Sequence, residues 1–130
     1  MPRFSAGFFA FGVVCVLCGM GLGMHMGATQ DFAMAPVHAH LNLLGWVTMA
    51  LYGTFYALTR DTMSVRMAWI NFAISTLAVL VMIPSLALFL ANGNDPKVIP
   101  YMLVGEVLTV LGMLTFGVAV ARELLRPRPA

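Results

Sequence analysis

The sequence predicts an all-α protein, an integral membrane bundle of four helices, and three observations support this. Of its 130 residues, 61% are hydrophobic and only 9% are charged, whereas a soluble globular domain has about 25% charged residues. The apolar residues form four long runs without strand-like alternation, which favours helices. A helix of about 20 residues crosses a bilayer, so we expect residues 1–130 to form a single transmembrane domain.

The first two predicted spans cover residues 4–26 and 36–59. Pro36 favours a helix start, because it lacks the N–H group that the first helical turn leaves unpaired. Arg60 and Asp61 end the second span. The beginning of the chain also has the basic residue and apolar run of a signal peptide. Because that run is long, we interpret the first span as a retained membrane anchor.

The other two predicted spans cover residues 65–91 and 99–125. The third span ends before the segment 92–96, which reads Asn-Gly-Asn-Asp-Pro and is typical of a turn. We expect Pro84 to kink the third span, because proline cannot donate a backbone hydrogen bond. The tail 126–130 contains two prolines and cannot continue the fourth helix.

The basic residues predict the orientation of the spans. Under the four-span topology every arginine lies at one end of the bundle, and only Lys97 lies at the other end. The positive-inside rule then places both termini in the cytoplasm of a cell with a bacterial-type inner membrane. The net charge of +2 is too small to indicate a nucleic acid as partner. The arginines are Arg3, Arg60, Arg66, Arg122, Arg126 and Arg128.

Four ionisable residues are predicted at similar depth near the outer end. His25 closes the first span, and His38 and His40 open the second. Glu106 lies about two turns below the outer end of the fourth span, at a rise of about 1.5 Å per residue. A membrane protein has few reasons to hold several ionisable groups at one level, so this layer indicates a functional site.

His38 and His40 point in different directions, because two residues along a helix correspond to a rotation of about 200°. The stripe of His38 contains polar or small residues such as Asn42 and Gly45, and suits the interior of the bundle. The stripe of His40 is rich in leucine and suits lipid, a subunit interface or the flat face of a large apolar cofactor. A single histidine at this depth is commonly an interfacial residue, whereas three in one layer favour ligands.

Glu106 and Met24 are further candidates for the site. A charged glutamate in lipid costs about 3 kcal/mol, so we expect Glu106 to face the bundle and find a partner. It would serve as a proton relay, a metal contact or a carboxylate that orients a histidine, or it is a protonated residue bonded to a neighbouring helix. Met24 beside His25 offers a thioether that suits Cu(I) or a haem iron, although methionine is also a common filler of apolar helices.

Small residues recur in the first span. Gly19, Gly23 and Gly27 repeat every four residues, which lets another helix or a cofactor approach the backbone closely. Cys15 and Cys18 form a C-x-x-C pair inside the same span. Because a zinc or redox motif needs exposure or further ligands, we interpret them as two small buried residues.

The stretch from His40 to Trp46 reads His-Leu-Asn-Leu-Leu-Gly-Trp and continues through aromatic residues to Tyr56. It resembles the second transmembrane helix of haem-copper oxidase subunit I, especially that of the nitric oxide reductase and cbb3-type branches. In that family the opening histidine is an axial ligand of the low-spin haem b, and this role carries over to His40. Asn42 and Trp46 lie in the same stretch and are candidates for cofactor contact. The resemblance covers one helix of four.

The resemblance implies a haem b-binding membrane protein that transfers electrons or senses a small gas at the outer leaflet. Subunit I has more spans and more histidines, so this chain is too small to hold a complete oxygen- or NO-reducing centre alone. A second axial ligand would come from His25, His38 or a methionine, in the same subunit or in a symmetric neighbour. We therefore expect a homo-oligomer, with a redox protein or a respiratory complex as further partner.

Two alternatives remain open at the level of sequence. One is a membrane protein that binds copper or another metal. The other is a cofactor-free accessory subunit of a larger respiratory complex, which would use its glycine stripe for packing. The candidate metal ligands are His40, His25, His38, Met24 and Glu106.

Overall fold

The computed structural model describes residues 1–127, and within that range it contains four long helices and no strand. This confirms the all-α prediction, and each long helix begins and ends within about one turn of the predicted span. A short 3₁₀ turn at Pro96–Val98 precedes the last helix. The predicted cytoplasmic residue Arg128 lies outside the described residues. The helices are α1 (Arg3–Thr29), α2 (Ala35–Leu58), α3 (Val65–Ala91) and α4 (Ile99–Leu124).

All four helices are long and apolar enough to cross a membrane. Only 17% to 33% of the most apolar segment of each helix is buried inside the bundle. The outward faces carry large apolar side chains, and Leu17 and Leu114, for example, are 61% and 60% exposed. Because a soluble monomer seldom exposes apolar patches of more than a few hundred Å², this surface suits a lipid environment.

Helices α1 and α2 pack closely where glycines remove side chains from their interface. A Cβ added at Gly45 would lie 2.5 Å from the Cβ of Cys15, and one added at Gly53 would lie 3.0 Å from the Cβ of Phe8. Cys15 is buried at this contact. The prediction that Cys18 is also buried is wrong, because Cys18 lies on the exposed side of α1.

Helices α3 and α4 form the second close pair. An added Cβ at Gly105 would lie 2.8 Å from the Cα of Met82, so the two backbones are nearly in contact. Nearer the other end of the pair, the fully buried Asn71 donates a 2.7 Å hydrogen bond from Nδ2 to the carbonyl oxygen of Gly112. This hydrogen bond fixes the register of α3 against α4.

An aromatic cluster joins the two helix pairs at the end of the bundle that carries Arg3, which we call the arginine end. Phe8 of α1 meets Phe72 of α3 edge to face, with ring centroids 5.1 Å apart. Tyr52 of α2 stacks on Phe116 of α4 at 4.3 Å. Such pairs add about 0.5–1.5 kcal/mol each beyond the burial of their area. The opposite end of the bundle carries the histidines, and we call it the histidine end.

The middle of α2 departs from regular α-helix. Residues Ala35–His40 and Met49–Leu58 are α-helical, but Leu41–Thr48 form a π-helix. Within it the hydroxyl of Thr48 donates to the carbonyl oxygen of Leu43, five residues earlier, at 2.8 Å. Short π-helical segments are frequent at functional sites, and this one begins directly after His40.

Helix α3 continues through Pro84 without interruption. Proline removes one backbone donor and sterically disturbs the preceding turn. The hydroxyl of Ser85 shares its single hydrogen between the carbonyl oxygens of Val81, at 2.7 Å, and Met82, at 3.0 Å. A side chain of the same helix therefore supplies polar contacts next to the proline.

Candidate functional site

His38 lies in the interface between α1 and α2, where both of its ring nitrogens have partners. Its Nδ1 is 2.7 Å from the carbonyl oxygen of Gly19, and its Nε2 is 3.1 Å from Nδ2 of Asn42. These partners fix one tautomer, in which Nδ1–H donates to Gly19 and Nε2 accepts from Asn42. His38 therefore connects two helices and has no ring nitrogen left for a ligand.

The glycine stripe of α1 makes room for this arrangement. A Cβ at Gly19 would lie 2.5 Å from Oδ1 of Asn42, and one at Gly23 would lie 2.8 Å from Cε1 of His38. A Cβ added at Gly27, the third member of the repeat, would meet no atom within 4 Å in the described part of the chain. The first two glycines thus receive polar side chains of α2, and the third does not contribute to packing.

His40 lies on a different face of α2, and its hydrogen bonding leaves one nitrogen free. Its Nδ1 is 2.7 Å from the carbonyl oxygen of Pro36, one turn earlier in the same helix. A carbonyl oxygen only accepts, so Nδ1 carries the proton and Nε2 keeps its lone pair. A histidine that ligates a metal commonly has this arrangement, because the second hydrogen bond orients the ring.

His40 is one of the residues that line a groove bounded by α2, α3 and α4. The groove has a volume of about 500 Å³ and a mainly apolar lining. Its polar side chains are those of His40, Glu106 and Thr109. Ligand pockets have volumes of about 300–1,000 Å³ and combine apolar walls with a few polar groups. The full lining is Ala39, His40, Leu43, Leu44, Met82, Glu106, Thr109 and Val110.

Glu106 shares this groove with His40, although it does not face the interior of the bundle. The expectation that it finds a partner there is wrong, because its side chain is exposed and receives no hydrogen bond or ion pair from residues 1–127. The neighbouring Thr109 donates its hydroxyl to the carbonyl oxygen of Gly105 at 2.9 Å. Glu106 therefore offers a free carboxylate at the wall of the groove.

The remaining predicted site residues lie away from the groove. His25 and Met24 are exposed on α1. Trp46 packs against α1, where a Cβ at Gly12 would lie 3.1 Å from its ring. Within residues 1–127, no three His, Cys, Asp or Glu side chains come together as metal ligands. Of the site residues predicted from the sequence, only His40 and Glu106 line the groove between α2, α3 and α4.

Several groove residues were not predicted from the sequence, among them Thr109, Val110 and Met82. Thr109 and Val110 lie three and four residues after Glu106, so a helical-face argument on α4 identifies both of them. Met82 comes from α3, and no local sequence signal places it near His40. Its position follows from the close contact of its backbone with Gly105.

Similarity to known proteins adds no information on this site. Comparisons with models of protein families, with curated proteins and with solved structures find no match to this chain. The geometry of the groove is therefore the basis on which a function is proposed.

Proposed function

We propose that this protein binds haem b in the groove between α2, α3 and α4, with Nε2 of His40 as one axial ligand. The observation that carries the proposal is the 2.7 Å contact of His40 Nδ1 with the carbonyl oxygen of Pro36. It leaves Nε2 free and orients the ring. His38 does not compete for this role, because both of its nitrogens are engaged.

The lining of the groove fits a large apolar group. Leu43, Leu44 and Val110 provide an apolar wall that would exclude water from the macrocycle. Met82 lines the same groove, and its thioether belongs to the ligand types found opposite histidine in haem proteins. Bound haem would supply one-electron chemistry or a gas-binding iron. The chain itself would contribute the imidazole, its orientation and a dry environment.

We further propose that the bundle spans a bacterial-type inner membrane with both termini in the cytoplasm. Lys97 lies at the histidine end, and the arginines of the described chain lie at the arginine end, so the positive-inside rule favours this orientation. The groove would then lie toward the outer leaflet, where it would transfer electrons or sense a small gas. The outward opening of the groove is compatible with a second copy or a redox protein as partner. The described arginines are Arg3, Arg60, Arg66, Arg122 and Arg126.

A second candidate function is binding of a metal ion such as copper. One observation favours it, namely that His40 and Glu106 line the same groove and offer one nitrogen and one carboxylate donor. Cu(II) accepts mixed nitrogen and oxygen ligands. This site would need further donors from water or from a second copy.

The test is a titration of the purified protein with hemin in mild detergent, followed by absorption spectroscopy before and after reduction with dithionite. We expect the wild-type protein to bind haem stoichiometrically with a sharp Soret band. His40→Ala should lose this band, whereas His25→Ala should retain it, because His25 is exposed outside the groove. Equal haem binding by His40→Ala would overturn the proposal. A colourless protein that binds copper through His40 and Glu106 would favour the second candidate.

A further inference from the structure

We propose that a second site, at the arginine end of the bundle, binds the phosphate group of an anionic phospholipid. The site is a groove of about 220 Å³ between the beginning of α3 and the end of α4. It combines two arginines and hydroxyl groups with an apolar strip. This inference does not depend on haem binding. The groove is lined by Ser64, Arg66, Met67, Ile70, Thr115 and Arg122.

The two arginines give the groove an uncompensated positive charge. Neither Arg66 nor Arg122 has a carboxylate oxygen within 4.0 Å among residues 1–127. Arg122 instead extends toward α3, where its Nη1 is 3.9 Å from the sulfur of Met67. A thioether is a weak acceptor that leaves the charge unneutralised. The groove therefore carries two positive charges that an anion could neutralise.

The nearby carboxylates are engaged elsewhere. Glu123 accepts a 2.7 Å hydrogen bond from the hydroxyl of Thr62 and lies 3.9 Å from Arg126. Asp61 lies 3.5 Å from Arg60. The charges of these acidic residues are thus matched by arginines other than the two in the groove.

The start of α3 adjoins the groove, because Ser64, which precedes the helix, is one of the lining residues. Its side chain makes no capping hydrogen bond to the helix, and the first turn of a helix favours an anion. The guanidinium groups of Arg66 and Arg122 can bind phosphate in a bidentate manner. The charge of the groove therefore suits a phosphate group.

The apolar strip distinguishes a phospholipid from a free phosphate ion. Ile70 lies four residues after Arg66, which corresponds to about 6 Å along the helix toward the middle of the bundle. It is 46% exposed, and Met67 and Thr115 continue the same wall. A phospholipid would place its phosphate between the arginines and an acyl chain along this strip, whereas a free phosphate would leave the strip uncovered.

Native mass spectrometry of the detergent-purified protein tests this site, with phosphatidylglycerol and phosphatidylcholine of the same acyl chains as probes. An arginine near the membrane surface strengthens binding of anionic lipid about fivefold. We therefore expect wild-type protein to prefer phosphatidylglycerol by at least about fivefold. The variant with Arg66→Gln and Arg122→Gln should lose this preference. Arg60→Gln should retain it, because Arg60 is paired with Asp61 at the same end.

Three results would overturn the proposal. One is equal binding of the two lipids by wild-type protein, which requires no variant and is independent of any folding defect. Another is an unchanged preference in the double variant. The third is an equal rise in melting temperature with inorganic phosphate and with phosphatidylglycerol, which would exclude the lipid. Because the proposed haem groove lies toward the other end, the Soret band of the double variant after treatment with hemin reports separately on the proposed function.

Discussion

The structure gives His38 a structural role, and this assignment can be tested by its replacement. The variant His38→Ala removes the hydrogen bond to the carbonyl oxygen of Gly19 at 2.7 Å and the one from Asn42 at 3.1 Å. It also leaves space beside Gly23, whose α-carbon faces the imidazole. The two helices would then lose a polar contact near the histidine end.

The expected loss can be worked out from these contacts. Interhelical hydrogen bonds in membrane proteins contribute about 0.6 kcal/mol on average and at most about 1.7 kcal/mol. The bond to Gly19 crosses between helices, and the bond from Asn42 lies within α2. With the lost packing, we expect the free energy of unfolding to fall by about 1–3 kcal/mol. The matched control His25→Ala should change it by less than about 0.5 kcal/mol, as exposed substitutions usually do.

The assay is reversible unfolding of haem-free protein in mixed micelles of a mild detergent and dodecyl sulfate, followed by far-ultraviolet circular dichroism. Haem is left out because a bound ligand would itself stabilise the folded state. Equal stability of His38→Ala and His25→Ala would refute the structural role of His38. That result would also make His38 a candidate ligand again, because the ring nitrogens of His38 would then be free to bind other partners.

The remaining predictions concern packing and the groove. Gly45→Ala should lower the free energy of unfolding by about 1–3 kcal/mol, because the added Cβ would lie 2.5 Å from the Cβ of Cys15 on α1. The control Gly21→Ala adds a Cβ that meets open space, so it should be neutral or stabilising in the same unfolding assay. Gly105→Ala should lower the melting temperature through its 2.8 Å contact with the backbone of α3, and Gly117→Ala, which also meets open space, should not. Glu106→Gln should leave haem occupancy within about twofold in a hemin titration, because its side chain is exposed and the proposed axial ligand lies on α2. Loss of haem in this variant would show that the carboxyl group of Glu106 helps to hold the haem.

The helices could be predicted from the sequence because their signals are local. Long apolar runs bounded by charges and prolines determine where a helix can lie in a bilayer. The different faces of His38 and His40 also follow from helical geometry alone. The structure places His38 between α1 and α2, as its polar stripe predicts. It places His40 in the lining of a groove, whereas the leucine-rich stripe left lipid, a subunit interface and a cofactor face open.

The composition of the groove could not be predicted, because it depends on how the helices are rotated against one another. Met82 lies in the same groove as His40 because its backbone packs against Gly105 of α4. Glu106 was expected in the interior, since a charge in lipid is costly. In the structure Glu106 lies instead in the wall of the groove. The π-helical segment Leu41–Thr48 has no recognisable sequence signal and alters the spacing of the faces of α2.

Axial ligation of haem by His40 can be tested by chemical rescue. The measurement is the absorption spectrum of dithionite-reduced, hemin-treated His40→Gly protein, recorded with and without imidazole. We expect the spectrum of the wild type to be lost in the variant and restored by imidazole, which would take the place of the missing ring. A wild-type spectrum in the variant without imidazole would rule out His40 as the ligand, because the iron would then be held by another residue.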